Sequence, residues 1–551
     1  MISSLEIAQA ATLRPVTELA SELGLEPEEL SLYGPYKAKI QTSVLDRLRN
    51  ETNARLICTT AITPTKAGEG KTTTSVSLTQ GLGHIGKRPV LCLREASLGP
   101  VFGIKGGACG GGYAQVVPME DLNLHFTGDI HAIGAANNLL AAIVESHVLQ
   151  GNRLGIDPLS ITWRRCVDIN DRALREIAVG LGGRANGYVR QTGFDITAAS
   201  EVMAIVAVSR DLHDLRRRLG EITVGHTFGG EPVTAEQLRA AGSMTVVLKD
   251  ALEPNLVQTL EGQPALVHCG PFANIAHGNN SLIADLVALK LGDYVVTESG
   301  FGSDMGMEKF LNIVCRVGGL VPSAVVVVAT VRALKHHGGE PEGGLEAIDR
   351  GSANLGRHLA IVHSFGLPAV VAINVFDGDS DQEIDAVRRL ALERGAHAVE
   401  RNDAFERGGE GAAALAEAVA DAAEQPNGFV PTYPLEASIP EKIEAIATRI
   451  YGAAGVHFLQ PAEESIARFT EDGLGGLPVC MAKTHLSLSD DPTLLNAPEG
   501  FTLHVRNVRA YTGAGWLVPL CGEVMTMPGL GERAAAFEVD IDPDGRTVGL
   551  F

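Results

Sequence analysis

The chain has 551 residues, more than one hydrophobic core usually accommodates, so we expect two or three domains. Hydrophobic residues make up 45% and charged residues 20%, proportions that are typical of a folded protein and exclude extensive disorder. The formal charge of −21 argues against nucleic acid and anionic lipid as partners, because so acidic a surface repels phosphates.

Apolar β-branched runs alternate with helical patterns along the chain, which indicates an α/β protein with a parallel sheet. Because these runs are continuous, the strands are expected to be buried on both faces. The predicted strands are residues 55–62, 89–93, 244–249, 265–268, 294–297, 323–330 and 369–374. The Ala-rich stretch 393–425 predicts a helix that is interrupted at Gly408-Gly409.

Neither a secretory signal nor a membrane span is predicted. Residues 1–6 carry no basic segment followed by an apolar block, and the longest apolar run, near residues 323–330, is far shorter than the roughly 20 residues that span a bilayer. We therefore expect a cytoplasmic protein without membrane contact. The eight cysteines include no C-x-x-C pair, which argues against a zinc ribbon and a disulfide framework, and several lie in apolar strand-like runs, where we expect them to be buried.

Residues 63–74 read TPTKAGEGKTTT, between predicted strand 55–62 and a run with helical apolar spacing over residues 75–86. A glycine-bearing turn between a strand and a helix presents backbone N–H groups to an anion. Lys71 is expected to reach the β- and γ-phosphates of ATP, and Thr72 is expected to bind Mg²⁺ through its hydroxyl. The predicted ATP-binding residues are Thr65, Lys66, Ala67, Gly68, Glu69, Gly70, Lys71, Thr72 and Thr73.

This match to the P-loop pattern G-x-x-x-x-G-K-[ST] is imperfect, because Thr65 stands where the first glycine is usual. Gly68 partly restores the turn, and Gly70-Lys71-Thr72 is intact. The alternative is a plain strand-to-helix turn that contains a lysine. We prefer the ATP site because the required strand and helix flank the motif.

A second glycine-rich segment, residues 103–113, follows predicted strand 89–93 and has six glycines within ten residues. Glycines permit positive φ angles and close approach of the backbone to a ligand. Arg94 ends the preceding strand beside the P-loop, at the sheet edge where α/β proteins bind ligands. The segment therefore predicts a second anion-handling loop, and the alternative is a flexible surface loop. Its predicted binding residues are Arg94, Lys105, Gly106 and Gly107.

Residues 103–113 (GIKGGACGGGY) resemble the glycine-rich signature of the formate–tetrahydrofolate ligases, and residues 328–339 (VATVRALKHHGG) resemble the second signature of that family. The resemblance runs from about residue 30 to the end of the chain, through residues 190–197, 300–302 and 525–529. It implies a three-domain α/β subunit, usually assembled as a homotetramer. It also implies the use of Mg-ATP and help from a monovalent cation, K⁺ or NH₄⁺.

The chemistry implied by the resemblance is the ATP-dependent ligation of formate to tetrahydrofolate. ATP would convert formate into formyl phosphate, and nitrogen 10 of the folate would then take the formyl group. Lys71 and Mg²⁺ would neutralise the transferred phosphoryl group, and Arg94 would bind formyl phosphate through its planar guanidinium. By motif position, Asp129 matches the family carboxylate that accepts or steers the amine proton. The predicted catalytic residues are therefore Lys71, Arg94 and Asp129.

Phe301, Phe376 and Phe405 are the predicted folate-binding residues, by position in the family motifs. Residues 374–379 read NVFDGD, which keeps the family aromatic but lacks its proline, and Phe405 stands where the family commonly has tryptophan. Two aromatic faces would still sandwich a pterin. With Asp377 beside Phe376, the substitutions leave open a homologue that forms formyl phosphate but uses a different acceptor.

A second alternative comes from Lys66, which makes the P-loop resemble the Lys-x-Gly-x-Gly-Lys-Thr loop of partitioning and nitrogenase-iron-type ATPases. Such a switch ATPase would need no folate pocket. Because both ligase signatures are present, the ligase is preferred.

We predict a major α/β domain with a P-loop-type parallel sheet and two smaller α/β domains. The major domain, residues 1–355, would bind ATP and formyl phosphate. Residues 356–455 would form the second domain and contribute the pterin pocket, and residues 456–551 would form the C-terminal domain.

Overall fold

A computed structural model of the protein describes residues 2–66, 68–103, 108–426 and 428–550. Strands and helices alternate along the chain, and the fold is α/β, as predicted. The strands are β1 (Leu30–Leu32), β2 (Ala38–Ile40), β3 (Arg55–Ala61), β4 (Pro89–Leu93), β5 (Gly110–Gly111), β6 (Ala114–Val117), β7 (Arg165–Val167), β8 (Ile177–Val179), β9 (Arg190–Thr192), β10 (Phe194–Ile196), β11 (Thr223–His226), β12 (Pro232–Thr234), β13 (Asn255–Thr259), β14 (Pro264–Val267), β15 (Tyr294–Glu298), β16 (Ala324–Ala329), β17 (Ala369–Asn374), β18 (Ala398–Asn402), β19 (Gly455–Phe458), β20 (Thr502–Val505), β21 (Asn507–Tyr511), β22 (Trp516–Leu520), β23 (Asp540–Ile541) and β24 (Thr547–Val548).

Helices cover both faces of the sheet and build the rest of the molecule. The α-helices are α1 (Ser4–Ala10), α2 (Val16–Glu22), α3 (Val44–Arg47), α4 (Lys71–His84), α5 (Leu98–Gly103), α6 (Met119–Asn123), α7 (Asp129–Leu149), α8 (Glu201–Val208), α9 (Leu212–Glu221), α10 (Ala241–Leu248), α11 (Leu282–Leu291), α12 (Cys315–Gly318), α13 (Val331–His337), α14 (Leu345–Ser364), α15 (Asp381–Glu393), α16 (Ala404–Arg407), α17 (Ala413–Glu424), α18 (Ile439–Ile446) and α19 (Gln460–Glu471). Short π-helices span Ser303–Met307, Phe310–Val314 and Ala447–Tyr451. Short 3₁₀ helices span Pro27–Glu29, Pro158–Ser160, Arg172–Leu174, Arg184–Asn186, Thr197–Ala199, Asp250–Leu252, Gly408–Ala412, Leu474–Gly476 and Ala535–Phe537.

The central sheet has 12 strands, in the order β1-β2-β13-β14-β4-β15-β3-β16-β17-β18, with β6 paired to β13 and β5 to β6. From β14 to β18 in that order, every pair of neighbours is parallel. The strands β1, β2, β6 and β13 pair antiparallel at the other edge. The sheet is therefore mixed, and the predicted parallel sheet is correct only for the β14-to-β18 part.

Burial explains why the parallel strands read as continuous apolar runs. Every residue of β16 and of β17 is buried, because helices cover both faces of this part of the sheet. On one face, Val325 and Val327 belong to the same apolar cluster as Leu359 of α14. On the other face, Val326 belongs to a cluster with Leu78 of α4. The parallel strands are thus held between two helical layers.

Helix α7 packs beside the sheet in a third apolar cluster. Its residues Ile133, Leu140 and Val144 are fully buried and lie in one cluster with Val202 of α8 and Trp516 of β22. Within the described ranges, α7 is the one helix that is long and apolar enough by composition to cross a membrane. About two fifths of its apolar window, 39%, is buried inside the protein.

Two element predictions are wrong. Residues 244–249 lie in and just after helix α10, and a short apolar run of this kind does not distinguish a strand from a helix. The predicted helix over 393–425 instead contains strand β18, which pairs with β17 at the sheet edge. Its sequence AVERN carries charged residues because an edge strand is only partly buried. The predicted interruption at Gly408-Gly409 is confirmed, since a 3₁₀ turn there precedes α17.

All eight cysteines are buried free thiols, which confirms the burial predicted for those in apolar strand-like runs. Burial raises the pKa of the Cys58 thiol to about 12, which keeps it protonated at neutral pH. The three-domain division stays a prediction. Helix α14 runs through the first predicted boundary, and β17 and β18 belong to the central sheet.

A buried ion pair joins strand β2 to the first turn of α7. The Nζ atom of Lys39 lies 2.8 Å from Oδ1 of Asp129, and both side chains are almost wholly inaccessible to solvent. Lys39 also donates to the Glu253 carbonyl at 2.9 Å, and Nδ2 of Asn255 donates to Asp129 at 2.8 Å. The charges are thus paired and hydrogen-bonded, the condition under which burial of ions is tolerated.

We expect Lys39→Met to destabilise the protein by about 3–5 kcal/mol, because it leaves the Asp129 carboxylate buried without its counter-charge. The double variant Lys39→Met/Asp129→Asn removes both charges and should recover part of that loss. Thermal unfolding of the three proteins measures the effect. Unfolding of Lys39→Met at the wild-type temperature would contradict a structural role for the pair.

Candidate active site

The predicted P-loop lies between β3 and α4, at the carboxyl end of the parallel strands, and α4 begins at Lys71. Gly68 and Gly70 have φ angles of 73° and 70°, in the left-handed region that glycine adopts without strain. A Cβ atom on Gly70 would lie only 2.1 Å from Nδ2 of Asn374. Glycine is therefore required here both by the backbone angle and by the close contact. The N-terminal N–H groups of α4 face the loop, an arrangement suited to an anion.

Lys71 and Arg94 line the same cavity, which has a volume of about 620 Å³, a size typical of small-molecule sites. The predicted residues that line it are Gly68, Glu69, Gly70, Lys71, Thr72, Thr73, Arg94 and Phe301. The predicted residues that are described but are not part of this lining are Thr65, Lys66, Asp129, Phe376 and Phe405. The predicted residues Ala67, Lys105, Gly106 and Gly107 lie outside the described residues.

The guanidinium of Arg94 has unused hydrogen-bonding capacity inside the cavity. Its Nη2 lies 3.5 Å from Oε1 of Glu298, which ends the neighbouring strand β15. Within the described part of the chain, neither Nε of Arg94 nor Oε2 of Glu298 has a hydrogen-bond partner, although both atoms are buried. Buried polar atoms without partners are costly, so a bound ligand that pairs with them is favoured.

Glu95 also lines the cavity, and the sequence reasoning missed it. The residue is 5% exposed, and its Oε2 has no hydrogen-bond partner among the described residues. Burial, and secondly the charge of Asp129, raise the pKa of the Glu95 carboxyl well above its usual value. A raised pKa makes the ionised carboxylate a stronger base. The sequence offered one clue to Glu95, its position directly after Arg94 at the end of a strand. A carboxylate at such a position usually lies in solvent, so its burial was not expected.

Asp129 does not share the cavity lining with Lys71 and Arg94. Its carboxylate is held in the ion pair with Lys39, and, in addition to burial, its charge raises the pKa of Glu95. The structure therefore brings two of the three predicted catalytic residues together. A catalytic role for Asp129 stays a prediction.

The three predicted folate-binding aromatics are placed differently. Phe301 lines the cavity and stacks on His485, with ring centroids 4.3 Å apart and an interplanar angle of 19°. The guanidinium of Arg332 lies over the Phe376 ring, 3.9 Å from its centroid. Phe405 is 43% exposed, and its carbonyl accepts a hydrogen bond from the Tyr113 N–H at 2.9 Å. His485, which sequence reasoning missed, is 184 residues from Phe301 in the chain, and no local pattern links them.

The predicted P-loop is held by residues at the ends of neighbouring strands. The Glu69 carboxylate accepts hydrogen bonds from the Thr65 N–H at 2.8 Å and from the Thr330 hydroxyl, after β16, at 2.6 Å. Asn374, the last residue of β17, donates to the Glu69 carbonyl at 3.2 Å. Arg332 donates to the carbonyl of Gly68. Glu69 is therefore used inside the protein, where it fixes the loop.

An α/β fold that brings a glycine-bearing loop, a lysine at a helix N-terminus and an arginine to one cavity is suited to an enzyme that handles phosphate groups. A family model described as formate–tetrahydrofolate ligase matches residues 2–551. The formate–tetrahydrofolate ligase of Desulforamulus reducens is 56% identical over 562 residues, covering 100% of this chain and 99% of that protein. Those of a Roseiflexus species and of Symbiobacterium thermophilum are each 55% identical, covering 100% of both chains. The chain belongs to the formate–tetrahydrofolate ligase family, and it is a ligase.

We expect Gly70→Ala to raise the KM for ATP about tenfold or more, because the new Cβ displaces Asn374 and the backbone angle disfavours alanine. Gly86→Ala is a matched control. Gly86 has a φ of 79° and open space around it, and it follows the other end of α4, about 21 Å away along the helix. Steady-state kinetics should show an unchanged KM for the control, and equal effects of both variants would contradict the role of the Gly70 contact.

Proposed function

We propose that this protein ligates formate to tetrahydrofolate with cleavage of ATP to ADP and phosphate, and that the reaction passes through formyl phosphate. The observation that carries the proposal is the presence of Lys71 and Arg94 on one cavity beside the N-terminus of α4. Formate and ATP are both anions, and the chain carries a net charge of −21, so their binding requires a local concentration of positive charge. The cytoplasm is the proposed location.

In the proposed first step, an oxygen of formate attacks the γ-phosphorus of ATP, and ADP leaves. Phosphoryl transfer depends on positioning and charge neutralisation more than on covalent help from the protein. Lys71 neutralises charge on the transferred group, and Arg94 binds the formate oxygens through its guanidinium. Thr72 lines the cavity next to Lys71, so its hydroxyl fits the Mg²⁺ that accompanies ATP and adds positive charge. The other proposed ATP contacts come from the P-loop backbone.

In the proposed second step, nitrogen 10 of tetrahydrofolate attacks the formyl carbon, phosphate leaves, and the nitrogen loses a proton. The raised pKa of Glu95 and its place in the cavity support its ionised carboxylate as the group that takes this proton, with the charge of Asp129 adding to its basicity. Phe301 supplies an aromatic face on the cavity, and Phe376 and Phe405 are the further proposed folate contacts.

The family resemblance also supports a homotetramer, a monovalent cation as activator, and the division into domains at residues 355 and 455. These parts of the proposal are independent of the residue roles. Light scattering on the purified protein measures the assembly, and activity with K⁺ or NH₄⁺ compared with Na⁺ measures the cation requirement.

The direct test of the proposed function is an omission assay on the purified protein. We expect 10-formyltetrahydrofolate to form only when ATP, formate and tetrahydrofolate are all present. Formate-dependent release of ADP without any use of tetrahydrofolate would indicate a different acceptor. Release of ADP without a requirement for formate would indicate a switch ATPase.

We expect Arg94→Lys to lower kcat/KM for formate by about 100-fold, because an ammonium group does not reproduce the two-point contact of a guanidinium with a carboxylate. Arg88→Lys is the matched control, since Arg88 lies at the other end of β4, is well exposed, and pairs with Asp293. Calorimetry with a non-hydrolysable ATP analogue should give wild-type affinity for both variants. Loss of nucleotide affinity with intact formate use would contradict the assigned role.

A further inference from the structure

Arg332 contacts both the P-loop and one of the proposed folate-binding residues. Its guanidinium donates a hydrogen bond to the carbonyl of Gly68, and the same group lies 3.9 Å from the centroid of the Phe376 ring. Gly68 lines the cavity with Lys71 and Arg94. One side chain therefore joins the loop proposed to bind ATP to the aromatic residue proposed to bind the acceptor.

The position of Arg332 is fixed by the helix that carries it. Arg332 is the second residue of α13, whose first turn is capped by the Thr330 hydroxyl, which accepts from the Ala333 N–H at 3.1 Å. The same hydroxyl donates to Glu69 in the P-loop. Later in α13, Lys335 pairs with Glu383 of α15 at 2.6 Å. Helix α13 is thus attached to the P-loop at one point and, at another, to the helix that follows the Phe376 segment.

The Phe376 segment is itself held in place. The Phe376 N–H donates to Oδ2 of Asp379 at 2.9 Å, and Asp379 donates its N–H to the Phe376 carbonyl at 3.0 Å. This closed turn directs the ring toward Arg332, and the residue is half-buried. With the Arg332 guanidinium over one face of the ring, a planar group that binds to Phe376 would contact the opposite face.

The chemistry of the guanidinium suits this double contact. A planar guanidinium can stack on an aromatic ring while its edge donates hydrogen bonds in the plane, and a lysine ammonium cannot do both. A shift of the Gly68 carbonyl therefore moves the group that supports the Phe376 ring, and a shift of the ring moves the group that holds Gly68. The proposed nucleotide-binding loop and the proposed acceptor-binding residue therefore both depend on the Arg332 side chain.

We propose that Arg332 is a positioning residue that couples nucleotide binding to binding of the acceptor, by holding Gly68 and Phe376 in one arrangement. The proposal rests on the proposed function for the identity of the two ligands. Coupling between two sites is reciprocal, so a nucleotide that fixes the P-loop strengthens acceptor binding by the same factor by which the acceptor strengthens nucleotide binding.

The test is a titration of tetrahydrofolate, by calorimetry, with and without a saturating non-hydrolysable ATP analogue and Mg²⁺. In the wild type, we expect the analogue to lower the Kd for tetrahydrofolate by about fivefold or more. In Arg332→Met and Arg332→Lys, the ratio of the two Kd values should fall to within about twofold of one. A purely structural role would weaken the two ligands separately and leave the ratio unchanged.

Arg350→Met is the matched control. Arg350 also donates to a glycine carbonyl, that of Gly338 at the other end of α13, at 3.1 Å, and it pairs with Glu340 at 2.9 Å. It belongs to α14, and these contacts involve neither Gly68 nor Phe376. The control should keep the wild-type ratio. The proposal is overturned if Arg332→Met keeps the wild-type ratio of the two Kd values for tetrahydrofolate. It is also overturned if that ratio is one in the wild type.

A second variant tests the coupling from the nucleotide side without any folate. Phe376→Leu removes the ring that supports Arg332, so affinity for the ATP analogue should fall about threefold. Combining it with Arg332→Met should add little, because the two changes break one interaction. Wild-type nucleotide affinity in Phe376→Leu overturns the proposal. Wild-type protein that binds the analogue but no tetrahydrofolate refutes the proposed acceptor, and the Phe376→Leu result then decides the positioning role.

Discussion

The parallel arrangement of the strands β14, β4, β15, β3, β16 and β17 is the constraint on which the rest of the site depends. Parallel neighbours end at the same edge of a sheet, so residues far apart in the chain meet there. Arg94 follows β4, Glu298 ends β15, and the P-loop follows β3. Thr330 follows β16, and Asn374 ends β17. Arg94 contacts Glu298, and Thr330 and Asn374 contact Glu69 of the predicted P-loop. In an antiparallel arrangement, the ends of neighbouring strands would lie at opposite edges of the sheet.

The second requirement is electrostatic, because an acidic protein has to gather anions at this edge. The carboxyl groups beside the cavity are arranged so that they repel an anionic ligand less than their number suggests. Glu69 is occupied by hydrogen bonds from Thr65 and Thr330. Glu298 faces Arg94 at 3.5 Å, too far for a tight ion pair. The positive groups and the helix N-terminus are thereby left to act on a ligand.

The sequence was sufficient for the features that depend on local pattern. Continuous apolar runs predicted the buried parallel strands, and the strand–glycine–helix pattern predicted the loop that places Lys71 on a cavity with Arg94. It failed where tertiary contacts decide: α10 and β18 were misassigned because their apolar content does not reveal which neighbours cover them. The antiparallel edge was missed for the same reason.

The residues that completed the cavity were also out of reach of sequence patterns. The significance of Glu95 depends on burial beside Asp129, and that of His485 depends on stacking against Phe301 from a distant part of the chain. Arg332 lies within a family-like segment, but its double contact with Gly68 and Phe376 requires the packing of α13 against the P-loop. Contacts between residues that are distant in the chain follow from the fold, and local sequence patterns do not reveal them.

The central claim is that formate is activated by phosphoryl transfer at the cavity shared by Lys71 and Arg94. The most direct measurement is the fate of the oxygen atoms of formate labelled with ¹⁸O, followed by mass spectrometry of the phosphate released during turnover with ATP and tetrahydrofolate. If an oxygen of formate attacks the γ-phosphorus and the acceptor then displaces phosphate, each phosphate released carries one labelled oxygen. Phosphate without label would contradict the account, because its fourth oxygen would then have come from water.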